Sequence, residues 1–82
     1  MIAARNVDWA AASTLEALMW VLRTRGPAAL KETWVERRLT MLSELQLREI
    51  GARLRRLKPE IARAWIDEDI KRLAEAWVAR HA

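Results

Sequence analysis

The sequence predicts an all-α fold, a compact bundle of about four helices with short connections. Three observations predict it. The chain is rich in Ala, Leu and Arg and holds only two Gly and two Pro, a composition that favours helix. Its apolar residues recur at three- and four-residue spacing, and no segment alternates as a half-buried strand does. Three Ser/Thr-x-x-Glu/Gln boxes stand before apolar stripes, each the signature of a helix start.

The elements follow in order. Ser13-Thr14-Leu15-Glu16 is the first box. Leu15, Leu18, Met19 and Leu22 then form one stripe, and Gly26-Pro27 ends it. This predicts a helix over about 13–25, with an Asp8 cap as the alternative start. Residues 1–12 are read as an N-terminal arm, or as an extension pinned by Val7 and Trp9. Thr33-Trp34-Val35-Glu36 is the second box and opens a helix over 33–41, with Val35, Leu39 and Leu42 inward. Ser43-Glu44-Leu45-Gln46 is the third. It opens a helix over 43–57 that carries Leu47, Ile50, Leu54 and Leu57 inward. Pro59 disfavours α geometry at Lys58 and stops that helix; residues 59–65 then form one or two turns. Asp67 is read as the cap of a last helix over 67–80, with Ile70, Leu73, Ala74, Trp77 and Val78 on one side. Four such stripes close around a single core, so residues 13–82 are read as one domain.

Eighty-two residues bury only about 60–65% of the surface the unfolded chain exposes. No cysteine is present, so neither a disulfide nor a thiolate-zinc site adds stability. The core rests on apolar packing, and Trp9, Trp20, Trp34, Trp65 and Trp77 are a large part of the available material. Most are expected inside. One or two are expected at an interface, with Trp9, Trp34 and Trp65 as the candidates, and an isologous homodimer is expected on the same ground. No apolar run reaches the roughly 20 residues that span a bilayer, and Arg5, Asn6 and Asp8 interrupt any signal-like h-region. A cytoplasmic protein with no membrane partner is expected.

The charge is uneven. The net charge is +4. Arg48, Arg53, Arg55, Arg56, Lys58 and Arg63 stand against only Glu49 and Glu60, while the rest of the chain balances nine bases with nine acids. The whole excess therefore lies in one helix and the turn after it. At 100° per residue, Arg48 and Arg55 fall on one flank of that helix and Arg53 and Arg56 on another. These six residues are the candidate binding face, for an acidic protein or for nucleic acid. The other reading is a solvated outer face whose aliphatic stems cover the edge of the core.

The segment LREIGARLRRLKPEIARAW also lies on a helix-turn-helix template. Ile50, Leu54 and Ile61 take its apolar positions, Gly51 its small position, and Ala64 its last core position. Arg55 and Arg56 fall where that template needs Gly and an apolar residue, and a buried unpaired guanidinium there costs several kcal/mol. A continuous helix to about 57 accounts for both arginines.

No catalytic constellation is visible. His81 is the single histidine and sits beside the C-terminus. Ser13, Thr33 and Ser43 are assigned to caps, and no Gly-rich phosphate loop is present. Asp67-Glu68-Asp69 is read as complementing a helix N-terminus rather than as a metal site. The expectation is a non-enzymatic protein with no cofactor and no metal.

Thr14, Leu15, Ala17, Leu18, Leu22, Arg23, Gly26, Ala28, Ala29 and Leu30 follow a T-[VL]-x-A-L then L-R-x-x-G-x-A-A-L pattern. Arg38, Leu39, Leu42, Ser43, Gln46, Leu47, Arg48, Glu49 and Ile50 follow R-L-x-x-L-S-x-x-Q-[LV]-R-[EQ]-[IV]. In these two stretches the chain resembles small helical proteins encoded in prophages and other mobile elements of proteobacteria. The resemblance implies a small accessory role carried out by binding, with anti-CRISPR inhibition of a host defence complex as one form.

Overall fold

Helix α1 runs over Ile2–Arg25, well before the predicted start at Ser13. The computed structural model describes the backbone from residue 2 and the side chains from Trp9 onward, so the expectations for the Val7 and Asp8 side chains fall outside the described residues. The Ser13 box is not a cap. The Ala-rich segment ahead of it is itself helical, so Ser13 lies inside a helix, where its hydroxyl accepts from Arg38 Nη2 at 3.1 Å. The face of α1 turned to the core is also rotated from the leucine stripe. Ala11, Thr14, Leu18 and Val21 are buried, while Leu15, Met19 and Leu22 flank them half-buried.

Gly26 ends α1 as expected. Its φ of 87° lies in the left-handed region, and its amide donates to the Val21 and Leu22 carbonyls, which closes the orphan end of the helix. A 3-10 turn over Pro27–Lys31 follows and buries Ala29 and Leu30.

Helix α2 spans Thr33–Thr40, and its N-cap is Glu32, not Thr33. The reason lies in Glu32 itself. Its backbone is extended (φ −71°, ψ 150°), and its carbonyl accepts the first helical amides, from Val35 and Glu36. Its carboxylate accepts two bonds from the Arg25 guanidinium, at 3.0 and 2.6 Å, and a third from Trp34 Nε1 at 2.8 Å. Glu36, the presumed partner of Thr33, instead accepts from Arg72 at 3.0 Å.

Helix α3 spans Glu44–Leu57, and here the predicted box forms in full. The Ser43 hydroxyl accepts from the Gln46 amide at 3.3 Å, and the Gln46 side chain accepts from the Ser43 amide at 3.0 Å. Leu42 before the cap and Leu47 after it are both buried, the positions of a hydrophobic staple. Leu47, Ile50 and Leu54 point into the core, but Leu57 does not and is 56% exposed. The helix reaches the molecule's edge one turn after Leu54. Lys58 (φ −139°, ψ 69°) leaves the helical region ahead of Pro59, as the proline ring requires.

A 3-10 turn over Pro59–Ile61 leads into a π-type segment over Ala62–Ile70, which continues as α4 over Lys71–His81. Asp67 is therefore inside a helix and not its cap. Trp65, Ile66, Ile70, Leu73 and Ala74 are all buried and form the inward face of this continuous helix. Lys71 N–H reaches the Ile66 carbonyl, five residues back. Trp77 is half-buried and Val78 exposed.

Helix α3 is the centre of the molecule, packed on α1 along one flank and on the Ala62–His81 helix along the other. Gly51 permits the second contact. A β-carbon there would meet the Ile66 and Ile70 Cγ2 atoms at 3.3 Å. The Cα radius of gyration is 12.3 Å, against about 12 Å for a compact domain of this length. Among the described residues no buried side-chain polar atom lacks a partner.

Candidate functional site

The tryptophans are mostly outside, contrary to expectation. Trp65 alone is deeply buried (3% exposed), while Trp9, Trp20 and Trp34 are exposed. Trp65 thus belongs to the core and not to an interface. Trp34 is tied to Glu32 through its indole N–H. Trp20 is the interface candidate that sequence reasoning passed over, although at 100° per residue it falls opposite the Leu15, Leu18, Met19 and Leu22 stripe.

The six basic residues do not form one face. Arg48 and Arg55 lie on the flank of α3 toward the last helix, at the rim of a shallow groove floored by Gly51, Ala52, Ile66, Ile70 and Ala74. Both are engaged: Arg48 donates to Glu44 at 2.7 Å, and Arg55 pairs with Asp67 across the groove. Arg53 and Arg56 lie on the opposite flank. With Leu57 of α3 and Leu15 of α1 they line a second, open groove. Arg53 makes an i,i+4 pair with Glu49 at 3.3 Å, both groups well exposed, a contact of little strength in water. Arg56, Lys58 and Arg63 make no ion pair among the described residues. Arg56 and Lys58 thus stand without an ion pair on either side of the exposed Leu57 in the chain, at the C-terminal end of α3.

No family model matches the chain, and neither the curated proteins nor the solved structures contain a match. The site accordingly stands on its own geometry.

The acidic run 67–69 is spread over three tasks. Asp67 pairs with Arg55. Glu68 and Asp69 both approach Lys31, at 3.8 and 3.5 Å, and Asp69 also faces Arg72 at 3.9 Å. It fastens the Ala62–Ile70 segment to α3 and to the 3-10 turn after α1, a role that the cap reading did not foresee. Among the described residues no group of three metal-ligating side chains converges. His81 stacks on Trp77, ring centroids 4.0 Å apart, and its Nδ1 lies 2.8 Å from the Trp77 carbonyl. No helix among the described residues is long and apolar enough to cross a membrane.

The helix-turn-helix template is met in its core and missed in its turn. Ile50, Leu54 and Ile61 are buried and Gly51 meets the last helix, but Ala64 is exposed. Helix α3 runs unbroken through Arg55 and Arg56 to Leu57, so the sharp turn comes a full helical turn too late.

Proposed function

We propose that this protein works by binding, and that its docking surface is the C-terminal end of α3: Arg53, Arg56 and Leu57 with Leu15 beneath them, extended by Lys58 and Arg63. The single observation behind this reading is the coincidence there of unpaired cations with an exposed apolar side chain. Of the ten other described cations, Arg25, Lys31, Arg48, Arg55 and Arg72 are answered by carboxylates. A solvated face needs charge, but gains nothing from an exposed leucine sharing a groove with two guanidinium groups. The partner is an acidic protein surface presenting an apolar residue flanked by carboxylates. Guanidinium groups bind carboxylates in a bidentate manner, and the leucines fill the centre of the contact. The resemblance to mobile-element proteins suggests a host defence complex as one such partner. Nucleic acid is the second reading, because the same unpaired cations serve phosphates.

The test is a titration of an amphipathic Leu/Glu peptide and of a short DNA duplex with wild-type protein and with Arg53→Glu/Arg56→Glu. Reversal of both charges is expected to weaken peptide binding roughly tenfold or more. A control variant, Arg37→Glu/Arg80→Glu, changes net charge equally at remote exposed sites and is expected to retain most of the affinity. Equal losses in both variants would reduce the surface to bulk electrostatics. Duplex binding that falls ~40-fold over a fourfold rise in salt, as about three phosphate contacts require, would favour the second reading.

A further inference from the structure

We infer that α1 carries a self-association surface, and that its occupant is a second copy of this chain. The surface is separate from the basic end of α3, and the inference does not depend on the function proposed there.

Trp9 and Trp20 are 70% and 54% exposed. They stand eleven residues apart, three turns of helix, so their indoles lie in line along α1. The buried residues Ala11, Thr14, Leu18 and Val21 occupy the opposite side. Glu16 and Arg23 share the exposed stripe, within about 40° of Trp9 at 100° per residue. Both are exposed, and neither makes an ion pair among the described residues. Seven residues separate them, about 10 Å along the axis, so they cannot pair with each other within one helix.

Such a stripe complements itself. Among the described residues it carries one acid and one base, and its centre is aromatic. Place a second α1 antiparallel, with the two-fold axis between positions 19 and 20. Glu16 of each copy then meets Arg23 of the other, and the two Trp20 side chains meet at the axis. This is the isologous arrangement of a two-fold dimer, with an aromatic centre and a charged rim. Trp9 extends the stripe and lies toward the edge of the contact. An acidic or a basic partner would answer only one of Glu16 and Arg23, whereas a second copy satisfies both charges at once. One helix face is a small interface, at the low end of the size range, so the dimer is weak, on the order of micromolar.

The test is sedimentation equilibrium of the full chain over a wide micromolar concentration range. Wild type is expected to approach twice 9.5 kDa at the upper end. Trp20→Ala should abolish the dimer. Glu16→Arg and Arg23→Glu alone should each weaken it roughly tenfold or more, and the two together should restore it. Melting curves of the single variants are expected to match wild type, which separates lost association from lost fold. A monomer at every concentration would overturn the inference. So would a dimer indifferent to these substitutions, or a double swap that stays monomeric.

Discussion

Leu54 and Gly51 set the tolerance of the core at single positions. Leu54 has no exposed surface and sits where α3 meets the other helices. Leu54→Ala is expected to cost about 2–4 kcal/mol, the transfer term plus a cavity that close packing cannot collapse. Thermal or urea unfolding checks it, and an unchanged midpoint would mean the phase of α3 is wrong. Gly51 acts in the opposite sense. With the Ile66 and Ile70 methyl groups 3.3 Å from its missing β-carbon, Gly51→Leu overfills the contact and is expected to cost about 1–3 kcal/mol, despite the better helix propensity of leucine. Gly51 was legible in the sequence as a small residue between two helices. Leu57 was not. It continues the a/d spacing of Leu47, Ile50 and Leu54, and spacing carries no information on where the neighbouring helices stop.

Among elements, the three serine and threonine boxes show what a cap needs beyond its own residues. Only Ser43 caps, because only there does the serine or threonine itself stand in the extended region at the helix start. Ser13 is preceded by a segment that is helical in its own right. At Thr33 the extended residue falls one position earlier, at Glu32, because Arg25 and Trp34 hold its carboxylate. Ser43→Ala is therefore expected to cost about 1 kcal/mol. Ser13→Ala is expected to stay within about 0.5 kcal/mol, since it loses one exposed hydrogen bond and gains helix propensity. Paired denaturation curves decide this, and equal losses would contradict the continuous α1. The last helix was mis-started for a related reason. Asp67 reads as a cap, but the wide turns over Ala62–Ile70 carry the chain through it, and no local pattern announces a π-type segment. The tight α2–α3 junction was legible from the Ser43 box, and the Gly26 and Pro59 stops from the backbone restriction or freedom that each residue type imposes.

At the scale of the molecule, the helical bundle followed from composition and periodicity, and the division of the surface did not. The sequence located the charge excess in residues 48–63. Three-dimensional placement was needed to divide it. Glu44 and Asp67 engage Arg48 and Arg55, while Arg56, Lys58 and Arg63 make no ion pair among the described residues. Likewise, five tryptophans read as core material, yet the core is filled mainly by leucine, isoleucine and valine, leaving three indoles outside. The central claim is that binding occurs at the C-terminal end of α3. The most direct test is amide chemical-shift mapping of the labelled protein during titration with the amphipathic Leu/Glu peptide. Perturbations are expected at residues 53–63 and around Leu15, with the groove beside Gly51 and the exposed stripe of α1 unmoved. Shifts centred on Arg48, Lys71 and Ala74, or no shifts at saturating peptide, would contradict the claim.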